Sequence, residues 1–148
     1  WGTNAWRLPS TVDGPYVYGY DGTTTAGYNI TTSEMGHLFY SELGNKGYYD
    51  TDGNVQSGWG LTNTGDFDNL VASWYWSGTE YALNPDIAWI FIMGYGYQDV
   101  SSKGGDRYGL AVRSGQVSTA PVPVPGAILM LGSGLIGLVG LSRKRRSN

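Results

Sequence analysis

The sequence predicts an α+β domain with an antiparallel sheet and one clear helix, followed by a C-terminal hydrophobic helix. Three observations predict this. Only one stretch of the domain has the apolar spacing and the start and stop signals of a helix, and several short runs of Tyr, Trp, Val and Ile lie between turn residues. The last stretch is an apolar run followed by basic residues. The 24 Gly and 21 aromatic residues (6 Trp, 12 Tyr, 3 Phe) supply turns and a large apolar core.

Four segments have the pattern of strands. The first alternates β-forming residues and ends at an Asp-Gly turn signal, which is typical of a hairpin. The continuously apolar segment is too short for an ordinary helix and predicts a buried central strand. The predicted strands are 16–20, 74–81, 87–93 and 108–113.

The predicted helix runs from a cap at Thr32 or Ser33 through Leu43. Glu34 lies near its positive end, and a glycine follows its last residue. The single histidine, His37, lies off the apolar stripe of this helix and has no ligand partners nearby in the sequence. We therefore expect a structural role for His37.

One loop has the composition of a calcium site. Asp50, Asp52 and Asn54 place oxygen atoms at alternating positions around a glycine. An EF-hand loop would require Glu where this sequence has Leu61. The pattern favours a plain Asp-Gly turn without a metal, with calcium as the alternative.

Charge and chemistry exclude several classes of function. All 12 acidic residues precede position 110, and residues 1–116 contain only five Lys or Arg, so this domain carries a net charge of −7. Such a domain repels phosphate backbones, and we expect no binding to nucleic acid. There is no Cys and one His, and Asp66 and Asp68 are a pair of the kind that any acidic loop offers. No coherent catalytic set remains, so we expect a protein that is not an enzyme and holds no cofactor.

The C-terminal region predicts a membrane anchor. Residues 126–141 contain no charge, and four bases follow almost directly. Sixteen helical residues span about 24 Å, less than the roughly 30 Å of a bilayer core, so the span is marginal. A buried core helix is the alternative. The positive-inside rule keeps the basic cluster cytoplasmic and places the preceding domain on the outer side. The predicted membrane stop consists of Arg143, Lys144, Arg145 and Arg146.

Four regions follow from these patterns: an ectodomain at 1–116, a proline-rich linker with a sorting motif at 117–125, a transmembrane segment at 126–141 and a basic cytoplasmic tail at 142–148. The alternating prolines of the linker favour an extended polyproline II spacer. Because the chain begins at Trp1 without an export signal, we expect a fragment or a processed chain.

The tail resembles the PEP-CTERM sorting signal. Three parts occur in the family's order: the motif Val122, Pro123, Val124, Pro125, the run Leu-Gly-Ser-Gly-Leu at 131–135, and the basic cluster at 143–146. Valine replaces the glutamate of Pro-Glu-Pro, as in a variant subgroup. The resemblance implies a protein anchored in the inner membrane of a Gram-negative bacterium on its periplasmic side. An exosortase would then process it for the cell surface or extracellular matrix.

A motif spread over the domain consists of Trp6, Arg7, Leu8, Pro9, Trp76, Ser77, Thr79, Glu80, Trp89 and Arg113. Through these residues, the segment 1–116 resembles the Lcl C-terminal domain family, which implies a compact C-type-lectin-like fold related to formylglycine-generating enzymes. In a structural interpretation, the three tryptophans of the motif are core residues, and Arg7 and Glu80 form a buried ion pair.

The sequence therefore predicts a non-catalytic exported protein that contacts extracellular polysaccharide. Exposed aromatic rings can stack on sugars, and polar side chains can bond their hydroxyls. The alternative is self-association, in which strand edges pair into a filament or layer. The candidate glycan contacts are Tyr48, Tyr49, Trp59, Asn63, Tyr95, Tyr97 and Gln98.

Overall fold

A mixed six-stranded sheet organises residues 6–113, the part of the chain that this computed structural model describes. The sheet order is β1-β2-β5-β4-β3-β6. The three central pairings are antiparallel and the two outer ones are parallel. The strands are β1 (Tyr18–Gly19), β2 (Ala26–Tyr28), β3 (Trp74–Glu80), β4 (Ile87–Ile92), β5 (Tyr97–Ser102) and β6 (Tyr108–Gly109).

The predicted sheet and single helix are confirmed in a mostly-β domain, but the antiparallel prediction is wrong at the edges. β1 was expected to form a hairpin, and it instead pairs in parallel with β2. The side chain of Thr25 makes the contacts of a hairpin partner, because its hydroxyl accepts from the amide of Val17 and donates to the carbonyl of Pro15. The segment between β1 and β2 then turns back, so that β2 runs in the same direction as β1.

The helical segment begins where the sequence predicts. Ser33 is the cap, and its hydroxyl accepts from the amide of Gly36. Only Glu34–Gly36 (α1) is α-helical, and His37–Glu42 continues as a π-helix. The predicted extent is therefore right, whereas the predicted regular α-helix is wrong. The wider turn brings residues five apart together, so that His37 Nε2 lies 2.9 Å from Glu42 Oε1.

The helical segment covers one face of the sheet. Its apolar residues pack with the side chains of β3, β4 and the loop before β3. β4 is buried along nearly its whole length, which confirms the predicted central strand. The buried cluster contains Met35, Phe39, Leu43, Leu70, Tyr75, Phe91 and Met93.

The closing strand is shorter than the predicted 108–113. Only Tyr108–Gly109 pairs with β3, and Val112 forms an isolated antiparallel bridge with Arg7. The loop between the π-helix and β3 has little regular structure. Two nested antiparallel bridges, Lys46↔Gly60 and Tyr49↔Val55, join the two arms of this loop.

No helix within residues 6–113 has the length and apolar character needed to cross a bilayer. The predicted sorting motif at 122–125, the transmembrane segment at 126–141 and the basic cluster at 143–146 lie outside the described residues. They stay predictions from the sequence.

Candidate functional site

Seven tyrosines and one tryptophan form a continuous network of ring contacts. Neighbouring ring centroids lie 4.7 to 6.1 Å apart, within the range in which aromatic pairs attract. The network runs from β1 and β2 through the long loop to the β4–β5 turn. Its members are Tyr18, Tyr20, Tyr28, Tyr48, Tyr49, Trp59, Tyr95 and Tyr97.

One end of the network is open to solvent. Trp59 and Tyr95 stack with centroids 5.3 Å apart and an interplanar angle of 14°, and they remain 37% and 46% exposed. Tyr48 meets Trp59 edge-on at 4.7 Å and Tyr95 at 5.9 Å. We call Tyr48, Trp59 and Tyr95 the aromatic platform.

Backbone hydrogen bonds fix the aromatic platform from below. The amide of Tyr48 donates to the carbonyl of Tyr95 at 2.8 Å, and its own carbonyl accepts from the amide of Gln56 at 3.0 Å. The amide of Gly60 donates to the carbonyl of Lys46 at 2.9 Å, next to Trp59. Tyr48 and Trp59 lie in the loop before β3, and Tyr95 lies in the β4–β5 turn. Backbone hydrogen bonds join these two loops, so the platform is preformed.

The other end of the network belongs to the fold. Tyr28 is buried and stacks on Tyr97 at 5.0 Å. Burial raises the pKa of Tyr28 to about 12, with smaller contributions from neighbouring tyrosines. Burial also raises the pKa of Tyr40, whose hydroxyl donates to the carbonyl of Gly96 and accepts from the amide of Asn29. These hydroxyls are neutral and give the platform a rigid support.

The structure brings together three of the seven predicted glycan contacts in the aromatic platform. Tyr49 lies behind them, 4.7 Å from Tyr48, and Tyr97 lies at the inner end of the network. Tyr18, Tyr20 and Tyr28 extend the network and were not among the predicted contacts, although the close spacing of tyrosines in this stretch was a visible signal.

Gln98 is too buried for the predicted role of a sugar contact, whereas Asn63 is exposed and its role stays a prediction. The Asn63 amide donates to the carbonyl of Leu43 and accepts from the amide of Gly65. Gln98 is 2% exposed, donates to the carbonyl of Thr25 and accepts from the hydroxyl of Thr11. Both side chains hold loops together, a use that sequence alone does not reveal.

The predicted buried pair of Arg7 and Glu80 is wrong. Arg7 instead forms a two-pronged pair with Glu34, with distances of 2.6 and 2.8 Å, and both side chains are partly exposed. Glu80 pairs with Lys103 on the neighbouring part of the sheet. The bridge to Val112 places Arg7 near the start of the helix, where Glu34 also accepts from the Ser10 amide.

The motif tryptophans have three different environments. Trp89 is fully buried, as predicted, and its indole nitrogen donates to Asp13 at 2.7 Å. Trp76 is half-buried. Trp6 is 64% exposed with Arg113 over its ring, so its predicted place in the core is wrong. The sequence gives no signal that separates these three.

Other motif residues join the N-terminal segment to β3. The hydroxyl of Ser77 donates to the carbonyl of Pro9 at 2.9 Å. Thr79 accepts from the amide of Thr11 and donates to its carbonyl. Leu8 lies against Gly78, which separates Ser77 from Thr79 on β3, and is partly exposed. These contacts give the motif a structural role.

The candidate calcium loop is an Asp-Gly turn. One carboxylate oxygen of Asp50 accepts from the amides of Asp52 and Asn54, at 3.0 and 2.8 Å, and Gly53 has a positive φ of 82°. The carboxylate of Asp50 is thus used inside its own turn, where those hydrogen bonds lower its pKa. Among residues 6–113 there is no group of three or more His, Cys, Asp or Glu that could hold a metal ion.

Comparison with protein-family models, curated proteins and solved structures gives no match to this chain. The resemblances to the PEP-CTERM signal and to the Lcl C-terminal family stay predictions from the residues that carry them. The aromatic platform is the feature of residues 6–113 whose geometry best fits a binding role.

Proposed function

We propose that this chain is a non-catalytic exported protein of the bacterial surface or matrix. Its C-type-lectin-like domain contacts extracellular polysaccharide through the aromatic platform. The observation that carries the proposal is the stacked, exposed pair of Trp59 and Tyr95 with Tyr48 against both rings. Sugar rings carry apolar C–H faces that pack on such surfaces, while tyrosine hydroxyls bond sugar hydroxyls.

The fixed position of the platform supports a binding role. An aromatic side chain has only two rotatable bonds, and these rings are already held by one another and by the backbone beneath them. Binding then loses little side-chain entropy, which is a large cost in flexible sites. A contiguous group of exposed aromatic rings is typical of an interaction site.

Self-association is the alternative function, and the sheet edges argue against it. β1 and β6 each contribute only two residues to the ladder. Very short edge strands are one of the devices that prevent edge-to-edge pairing. The alternative therefore requires contacts between faces of the domain.

Export and processing complete the proposal. The tail directs the chain to the inner membrane, where an exosortase cleaves it near Val122–Pro125 and passes the domain outward. The test is a pulse-chase in a host with and without its exosortase gene. We expect a smaller mature form only in the host that has the enzyme, and an unchanged mass in both strains would refute this part.

The glycan proposal is tested with the full 148-residue chain in a non-ionic, sugar-free detergent. Retention on immobilised exopolysaccharide from the host is compared for the unchanged chain, Trp59→Ala and the control Trp6→Ala, which removes another exposed tryptophan. We expect at least about tenfold weaker retention for Trp59→Ala only, since hot-spot aromatics typically cost 2 kcal/mol or more. Equal retention of all three refutes the platform, and assembly without polysaccharide favours self-association.

A further inference from the structure

A second concave site lies beside β6, and none of the predicted glycan contacts belongs to it. It is a cavity of about 400 Å³, which lies within the usual size range of small-molecule sites. Its walls are aromatic and apolar, and two carboxylates lie at its lining. The lining residues on which the argument rests are Asp66, Phe67, Asp68, Tyr75, Tyr108 and Leu110.

The aromatic walls are partly fixed and partly open. Tyr75 is buried, and its hydroxyl accepts from the amide of Val71 and donates to the same residue's carbonyl. The ring of Tyr108 lies 5.5 Å from that of Tyr75 and is 54% exposed. Phe67 is also exposed beside the carboxylates. A ligand in the cavity can therefore contact two exposed aromatic side chains, Phe67 and Tyr108, beside the buried Tyr75.

The carboxylates of Asp66 and Asp68 make no ion pair and accept no hydrogen bond within residues 6–113. No Lys or Arg of that part of the chain lines the cavity: Arg7 and Lys103 pair with Glu34 and Glu80, Arg107 and Arg113 lie over tryptophan rings, and Lys46 forms a backbone bridge with Gly60. The cavity thus combines unneutralised negative charge with aromatic faces, and both features attract a cation.

We propose that this cavity binds the protonated amine of an amino sugar, as found in a partly deacetylated hexosamine polymer. The ammonium group lies between the carboxylates and the Tyr108 ring, and the sugar ring packs on Phe67 and Tyr108. The domain's net charge of −7 attracts such a polycation over a longer range. The choice of a polysaccharide as ligand rests on the proposed function, whereas the preference for an amine follows from the cavity.

The probes are a glucosamine tetramer and its fully N-acetylated counterpart, which differ in charge but share the sugar backbone. Affinities are measured by calorimetry with the full chain. We expect the glucosamine tetramer to bind at least about tenfold more tightly, because acetylation removes the charge-assisted contacts. Equal affinities overturn the inference.

A matched pair of variants separates the cavity from the overall charge. Asp66→Asn with Asp68→Asn removes two carboxylates from the cavity, and Asp52→Asn with Asp86→Asn removes two exposed ones elsewhere. We expect about a tenfold loss of glucosamine affinity for the first pair and less than twofold for the second. Equal losses would mean that only net charge matters and would overturn the inference. Near-ultraviolet circular dichroism verifies the fold of each variant.

The platform variant separates this inference from the proposed function. Trp59→Ala should weaken retention on host polysaccharide and leave the affinity for the glucosamine tetramer within twofold. If the tetramer's affinity instead falls with Trp59→Ala and is unchanged in Asp66→Asn with Asp68→Asn, the platform binds the amine and the cavity assignment is wrong. If Trp59→Ala affects neither ligand, the proposed function fails while the cavity assignment stands.

Discussion

The carboxylate of Glu34 makes several contacts with the N-terminal segment. Glu34 is the first residue of the helical segment, pairs with Arg7 and accepts from the amide and hydroxyl of Ser10. The Arg7 guanidinium, followed by the Ser10 hydrogen bonds, lowers the pKa of Glu34 to about 2. One carboxylate thus ties the N-terminal segment to the helix.

The Glu34 contacts should make stability depend on pH. Because the pKa of Glu34 is lower in the folded state, its contribution is present above the unfolded value near 4.5 and is lost as pH falls toward 2. Both side chains are partly exposed, so we expect only about 1 kcal/mol. Urea unfolding at pH 7 and pH 3 should show a smaller pH effect for Glu34→Gln than for the control Glu80→Gln. Equal effects would contradict this.

The raised pKa of Tyr28 should make the domain less stable as the pH rises into the alkaline range. Its pKa is raised by burial from 10 to about 12, so the folded state keeps the proton that the unfolded chain loses. Its contribution is present below pH 10 and is lost between about pH 10 and 12. Unfolding midpoints from pH 8 to 11 should decline less in Tyr28→Phe than in Tyr108→Phe, where an exposed phenol is removed. A matching decline in both variants would refute the assignment.

Among the elements, the outer strand pairs depend most on backbone conformation. Gly27 in β2 has a φ of +116°, and a Cβ there would lie 1.9 Å from the carbonyl oxygen of Gly19. No other residue can occupy this position without separating β1 from β2. The strand pattern at 16–20 was visible in the sequence, but the close approach that makes the pairing parallel was not.

Substitution of Gly27 tests this dependence. Gly27→Ala should destabilise the domain by about 3 kcal/mol or more, since strain at the positive φ adds to the lost strand contacts. Gly58→Ala is the matched control, because Gly58 also has a positive φ (69°) but has no atom within 4 Å of the added Cβ. It should cost about 1 kcal/mol. Chemical denaturation measures both, and equal costs would show that the Gly19 contact is unimportant.

The helical segment shows what sequence reasoning can and cannot give. The cap at Ser33 and the apolar face of Met35, Phe39 and Leu43 were predictable because caps and periodicity are local. The π-helix was not, because a single extra residue per turn depends on how the tertiary contacts close around it. In the candidate site, the sequence was sufficient to predict that Tyr48, Trp59 and Tyr95 are candidate contacts. Their stacking was not predictable, because it depends on backbone contacts between distant parts of two loops.

At the scale of the whole molecule, stability should fall from the centre of the sheet to its edges. β4 is buried and paired on both sides, whereas β1 and β6 have two residues each. Regions with few buried contacts open locally at low free energy. The same gradient separates what was predictable from what was not: the apolar central strand was recognisable in the sequence, while the edge pairings depend on distant residues such as Arg7 and Val112.

Amide hydrogen exchange tests this gradient. Protection should be greatest for Ile87–Ile92 and lower by about a hundredfold or more around Tyr18–Gly19 and Tyr108–Gly109. The amides of Tyr48 and Gly60 serve as an internal comparison, because a preformed platform requires them to be protected. Rapid exchange at these two amides would mean that the platform forms only on binding.

The bridge between Arg7 and Val112 has a mechanical consequence. Each residue donates its amide to the other's carbonyl, at 2.9 and 2.8 Å, so the two ends of the described segment leave the domain side by side. A pulling force applied to both flanks therefore loads this pair first. Once the pair separates, the force acts next on the β6 edge of the sheet. A tether at both flanks would therefore load this pair directly, whereas a tether at a single flank would not.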